Sequence, residues 1–190
     1  MKNLERYLDG TGDALVFSRD EARSFGPVRD LEVRNRGHFE AREFRGKTND
    51  GDYNDRIKNL KDGESLTYSR HNDAKSDARN FLKQYVGDET DFALAFGRTS
   101  MKSTADFTAT RNGDKIAIEG TVRHEWKDTY DFHAGQPGAA GAHLLERAGR
   151  ARKFPVVAVW KQTFAGTVDI GNEGLSNPKI VWRDIGNEWP

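Results

Sequence analysis

The sequence predicts an α+β protein in which N-terminal helices and an irregular charged region precede a twisted antiparallel β-sheet or half-barrel carrying one inserted helix. Three observations predict it: an amphipathic start that ends at Gly10, a second half whose apolar residues recur every second position, and a hairpin dipeptide at Asn112-Gly113. At 190 residues the chain suits a single domain, with a mainly helical and loop part over 1–90 and a β-rich part over 91–190.

Leu4, Tyr7 and Leu8 fall at helical spacing and stop at Gly10-Thr11-Gly12, a helix ended by glycine. Ser18 followed by Glu21 has the form of a capping box, so a short helix is expected over 19–25, before Gly26-Pro27. Residues 28–70 are highly charged, with turn signals at Arg36-Gly37 and around Asn49-Asp50-Gly51, and read as short strands or irregular loop. Asn49, Asp50, Asp52 and Asp55 lack the glycine and glutamate spacing of a calcium loop, so an exposed turn is expected there. Ala74, Ala78, Phe81, Leu82 and Tyr85 predict a helix over 72–86, capped by Gly87.

The β-rich part begins with Phe92, Leu94 and Phe96 in alternation. Asn112-Gly113 suits a type I′ turn, which sets Phe107 opposite Ile118 and Ala109 opposite Ile116. Continuing that parity puts Ile116, Ile118, Val122, His124, Trp126, Asp128 and Tyr130 on one face of the second strand. A helix over 139–149 follows, with Leu144, Leu145 and Ala148 as its buried stripe and Arg147, Arg150 and Arg152 near its end. Three strands close the chain around Val157-Val159-Trp160, Val168-Ile170 and Ile180-Val181-Trp182, with a turn at Ala165-Gly166.

Composition narrows the function classes. Basic and acidic residues number 30 each, so no net field favours nucleic acid as a partner. Without cysteine there is no disulfide and no thiolate metal site, and five scattered histidines make no zinc signature. His124-Glu125-Trp126-Lys127-Asp128 lacks the second histidine of a zinc protease, and on an apolar strand face His124 reads as a core residue. No stretch has the form of a signal peptide or a membrane-spanning helix.

The inward stripe of the second hairpin strand turns polar at Asp128-Thr129-Tyr130-Asp131. Read structurally, Tyr130 plugs the end of the sheet while Asp128 and Asp131 cap the helix after Pro137-Gly138. Read functionally, two carboxylates with a tyrosine between them form a site.

A hairpin, Val122-Arg123, Asp128-Thr129-Tyr130-Asp131-Phe132, a helix with Leu144 and Arg147-Ala148-Gly149, and a closing hairpin together resemble the C-terminal activity domain of colicin M-type bacteriocins. The resemblance implies an antibacterial toxin that hydrolyses the lipid II peptidoglycan precursor between the undecaprenyl chain and the pyrophosphate. It also implies a divalent cation, Mg²⁺ being the natural candidate, a lipid-linked substrate, an immunity protein as partner, and action in the periplasm of target bacteria after secretion or delivery. With no signal peptide in this chain, other machinery or a larger parent chain would carry it. The family motif is Asp-x-Tyr-Asp followed after five residues by His-Arg; Asp128, Tyr130 and Asp131 match, whereas Pro137-Gly138 stand where the His-Arg pair belongs.

Cleaving a phosphoester beside a pyrophosphate requires charge neutralisation on phosphate oxygens and a base or positioner for water. On this reading Asp131 is the base or metal ligand, Asp128 its partner and Tyr130 an orienting group. His133, or His143 and Arg147 on the next helix, replace the missing pair at the phosphate. The alternatives are a toxin of the same fold without lipid II hydrolysis, such as one that perturbs membranes, and a non-enzymatic binding domain.

Overall fold

The computed structural model of the chain describes residues 2–44, 56–77, 98–131, 139–171 and 174–185. The carboxylates around Asn49, the Phe92-Leu94-Phe96 alternation and His133 lie outside those residues. The described elements are α1 (Lys2–Asp9), β1 (Leu15–Phe17), α2 (Arg19–Ser24), α3 (Gly26–Glu43), β2 (Ser65–Asp77), β3 (Arg98–Asn112), β4 (Lys115–Tyr130), α4 (Ala139–Arg147), β5 (Phe154–Gly171) and β6 (Gly174–Asp184). They build an α+β fold on an open, mixed sheet in the order β1-β5-β4-β3-β2, with β6 also paired to β5.

The N-terminal helix forms as its spacing predicts and ends at Gly10, whose φ of 69° a side chain would resist. Tyr7 of its stripe is buried, whereas Leu8 is 44% exposed. The capping box is present in full: Glu21 donates its amide to Ser18 Oγ, and the Ser18 amide donates to the Glu21 carboxylate at 2.8 Å. The three residues of β1 pair parallel with β5, Leu15 beside Val156 and Phe17 beside Ala158, so the sheet is not purely antiparallel.

Four expectations are corrected. The 28–43 stretch is the long helix α3, running through Arg36-Gly37 instead of turning there. Its buried positions, Val28, Leu31, Glu32, Asn35, Phe39 and Glu43, do recur at three and four residues, but half of them are polar, so no apolar stripe marks the helix. Residues 72–77, expected to begin a helix, finish β2 instead, and 78–86 lie outside the described residues. Along β2 the even positions from Leu66 to Ser76 are at least half-buried and the odd ones exposed, a period of two. Thr67 and Ser65 bond the side chains of Thr108 and Thr110 on β3, at 2.8 Å each.

The third correction concerns the hairpin turn. β3 continues to Asn112, β4 starts at Lys115, and of the two residues between them Gly113 has a φ of 63°. Neither Asn112 nor Asp114 has positive φ, so the loop is Gly113-Asp114 with glycine first, the type II′ form. Phe107 accordingly faces Gly120, on which a Cβ would lie 2.5 Å from Phe107 Cβ, and not Ile118. The space left by Gly120 admits Phe107 Cβ and the tip of the Phe164 ring, and the Phe107 ring packs 5.5 Å from Phe44 and 5.9 Å from Phe164. Because the register moves by an even number of residues, the inward set is unchanged; Ala105, Phe107, Ala109, Ile116, Ile118 and Val122 share one core.

Fourth, Ala165-Gly166 is no turn but the interior of β5. Gly166 sits opposite Ile180, and a side chain on it would collide with the Lys179 carbonyl, so the glycine serves close strand approach.

By their contacts the residues divide into two compact units. One comprises Met1–Leu31, Ala74–Met101 and Glu125–Val159; the other comprises Glu32–Asp73, Lys102–His124 and Trp160–Pro190. The second unit holds the core just described, extended by Phe39, Ile57, Val168 and Leu175. The first buries Tyr7, Ala22, Val28, Trp126, Phe154 and Val156. Phe17, Phe25 and Trp126 meet there with ring centroids about 6 Å apart.

Candidate functional site

Every described residue of the candidate site belongs to the first unit. As the strand parity predicts, β4 carries Trp126 and Tyr130 inward, and Asp128 between them is partly buried. Tyr130 stacks on Phe154, the first residue of β5, with ring centroids 4.9 Å apart and planes 6° from parallel. Tyr7 of α1 closes on the same ring at 6.0 Å. Tyr130 therefore plugs the end of the sheet as the structural reading expects, and its ring is part of the core.

Asp128 Oδ1 accepts the Thr129 amide at 2.7 Å, whereas Oδ2 is buried with no hydrogen-bond partner among the described residues. Burial pushes its carboxyl from 3.8 up to about 6, helped by the negative charge of Asp131 and opposed by hydrogen bonds from the Thr99 side chain and the Thr129 amide. Thr99 is itself fixed by the Trp126 indole, which donates to its hydroxyl at 2.6 Å. A carboxyl held near neutrality can give or take a proton at physiological pH.

Asp131 leaves the end of β4 with its side chain 15% exposed and is met by Lys153 Nζ at 3.1 Å. Beside it the Tyr7 hydroxyl donates to Glu146 Oε1 at 2.7 Å. Burial, that hydrogen bond and the charges of Glu146 and Asp131 raise the Tyr7 phenol well above its ordinary value. His143 Nδ1 approaches the other Glu146 oxygen at 3.5 Å, and Arg147 is exposed and makes no ion pair among the described residues. The cation at Asp131 is thus Lys153, and neither His143 nor Arg147 binds its carboxylate directly.

Lys153, Tyr7, Glu146 and Thr99 were not legible as site residues. Lys153 stands next to Phe154 in sequence, but only the return of β5 alongside β4 brings it to Asp131. Tyr7 reads as core material for an amphipathic helix, and its hydroxyl gives no signal in a periodicity argument.

The helix α4 is turned from its expected orientation. Ala142 is buried and accepts from Tyr7 at 3.3 Å, whereas Leu144 is 65% exposed and Ala148 is exposed. The docking of Ala142 and Glu146 on Tyr7 selects the buried face, one hundred degrees or so from the apolar stripe.

Among the described residues no group of three His, Asp or Glu side chains gathers as a metal site. Magnesium commonly takes one or two carboxylates with water and substrate phosphate completing its shell, and Asp128 and Asp131 are donors of that kind. No described helix is long and apolar enough to cross a membrane.

In the second unit His124 is fully buried. Its Nδ1 meets Ser103 Oγ at 2.7 Å and its Nε2 meets Gln162 Oε1 at 3.0 Å. Asn72 donates to Asn35, Asn35 to Ser103 Oγ, and Gln162 to Asp184, so one chain of hydrogen bonds crosses the unit. Gln162 Oε1 accepts, which puts the imidazole proton on Nε2 and lets Ser103 donate to Nδ1. His124 is a satisfied core histidine.

The fold and site together define an α+β protein with an open six-stranded sheet and a carboxylate pair at the end of β4. Among solved structures the chain is similar to pectocin M2, at 14% identity and a TM-score of 0.35, a weak likeness of fold. The match covers 88% of this chain and half of that one. No protein-family model and no curated protein matches the chain.

Proposed function

We propose that the chain is an antibacterial toxin domain that hydrolyses a lipid-linked peptidoglycan precursor, lipid II, at the bond between undecaprenyl oxygen and phosphorus. The observation that carries the reading is a pair of neighbouring carboxyls in different surroundings. Asp128 is raised to about 6 by burial while Asp131 stands against Lys153. The resemblance of Asp128-Thr129-Tyr130-Asp131 to the colicin M-type motif supplies the substrate class.

Water attacks the phosphorus and gives a proton to Asp131; the phosphorus–oxygen bond to the lipid breaks, and Asp128 in its protonated form supplies the proton that the undecaprenyl oxygen takes up. Lys153 pairs with Asp131 and adds positive charge near the phosphates. Arg147, which makes no ion pair among the described residues, contacts the pyrophosphate with His143, and His133 belongs to the same expected set. Mg²⁺, held by Asp131 with Asp128 left to carry its proton, would neutralise phosphate charge when bound.

The test is release of undecaprenol from lipid II by the purified chain with and without Mg²⁺, alongside growth of cells that carry the domain in the periplasm or the cytosol. Cleavage, and killing only from the periplasm, are expected. Killing without cleavage would replace the hydrolase by a membrane-perturbing toxin, and toxicity confined to the cytosol would remove the cell-wall target.

A further inference from the structure

Helix α4 ends in a Schellman motif: the Gly149 amide bonds the Glu146 carbonyl at 3.0 Å and the Arg150 amide bonds the Leu145 carbonyl at 2.9 Å, with Gly149 at φ 69°. That turn presents Arg147, Arg150 and Arg152 at the surface within six residues. All three are exposed and make no ion pair or side-chain hydrogen bond among the described residues, the Arg152 stem lying against Gly12. Three residues before Arg147, on the same side of the helix, Leu144 is 65% exposed, the most exposed large apolar side chain among the described residues. The fold uses the opposite side of the helix, through Ala142 and Glu146, to dock on Tyr7.

An exposed leucine is by itself ordinary, and arginines at a helix C-terminus complement the helix dipole. Dipole complementarity uses one or two cations in the last turn and gives no reason for an exposed leucine beside them. The combination instead matches an interfacial surface, in which an apolar side chain enters the headgroup region while guanidinium groups meet lipid phosphates.

From this we infer that the Leu144 face of α4, with Arg147, Arg150 and Arg152, docks the protein on an anionic phospholipid bilayer. The assignment rests on the lipid-linked substrate proposed above for its purpose, but not for its evidence. Arg152 is next in sequence to Lys153, and Glu146 on α4 bonds Tyr7 beside Asp131, so a docked α4 would hold the carboxylate pair about one helix diameter, ~10 Å, from the bilayer surface. The protein's net charge of zero makes the attraction local to this patch.

The full chain is sedimented with vesicles of phosphatidylcholine alone and of phosphatidylcholine with phosphatidylglycerol. Binding to the anionic vesicles is expected, weakening with added salt. Arg150→Gln with Arg152→Gln should lower that binding by roughly twentyfold, on the basis of about fivefold for each arginine near an anionic surface. Leu144→Ser should lower it at every salt concentration. All these side chains are exposed, so the variants keep the fold, checked by an unchanged thermal midpoint. Hydrolysis of a detergent-free, short-chain lipid II analogue should be the same in the double variant as in the original. Cleavage of the analogue without vesicle binding would overturn the docking surface and leave the hydrolase; vesicle binding without cleavage would do the reverse. Equal vesicle binding by all variants, or capture of a DNA duplex or inorganic pyrophosphate in place of vesicles, would also overturn it.

Discussion

Lys153 Nζ stands 3.1 Å from Asp131 Oδ2, joining the residue that leaves β4 to the residue that leads into β5. The ammonium is 43% exposed and the carboxylate 15%, so solvent screens the pair from one side. Its worth to stability is accordingly small, about 1 kcal/mol or less.

Asp131→Asn should therefore separate chemistry from structure. Asparagine matches the shape but neither accepts a proton at neutral pH nor binds Mg²⁺ well, so lipid II cleavage should fall by roughly a hundredfold or more. Thermal unfolding should shift by only a few degrees. Full activity at unchanged stability would take Asp131 out of the site.

Asp128→Asn should make the protein more stable at neutral pH while lowering its activity. The folded carboxyl titrates near 6 against 3.8 in the unfolded chain. The native state thus holds this proton more tightly, and the stability it contributes is full below about pH 4 and lost as pH rises through 6. Asparagine has nothing to lose in that window. The variant should exceed the original by about 1–3 kcal/mol at pH 8, with the gap closing toward pH 4, in urea unfolding measured across pH. A pH-independent difference would show that Asp128 is not held near neutrality.

Gly113→Ala should destabilise the hairpin by about 1 kcal/mol, because alanine resists the left-handed region. Asn112→Ala, at a strand position without positive φ, should change stability by less than half of that. Equal losses at the two positions, read from denaturant midpoints, would restore the Asn112-Gly113 turn.

Ser103→Ala should cost about 2–4 kcal/mol, since it strands both the Asn35 amide and His124 Nδ1 in a dry interior. Gln162→Leu should cost a similar amount by removing the Gln162 Oε1 acceptor from the buried His124 Nε2. Their double variant should lose less than the sum, because one hydrogen-bonded chain is broken twice; additive losses would show two independent contacts.

The residues themselves determined what local chemistry can determine. Leu4, Tyr7 and Gly10 were enough for α1, Ser18 and Glu21 for the start of α2, and the alternation from Ile116 to Tyr130 for the inward face of β4, Asp128 included. That face survived an error in the turn because a displacement of two residues preserves strand parity. The tertiary structure decided where polar residues replace apolar ones in the interior. Glu32, Asn35 and Glu43 hide the stripe of α3 from any hydrophobicity pattern; Ser103 and Arg70 from distant segments meet Asn35 and Glu43 there, and Arg36 pairs with Glu32 along the helix. For the same reason the candidate site was half legible: Asp128, Tyr130 and Asp131 are neighbours along one strand. Lys153, Tyr7 and Glu146 reach them through the return of β5 and the docking of two helices, and hydrogen bonds and ion pairs between remote positions leave no period in the sequence.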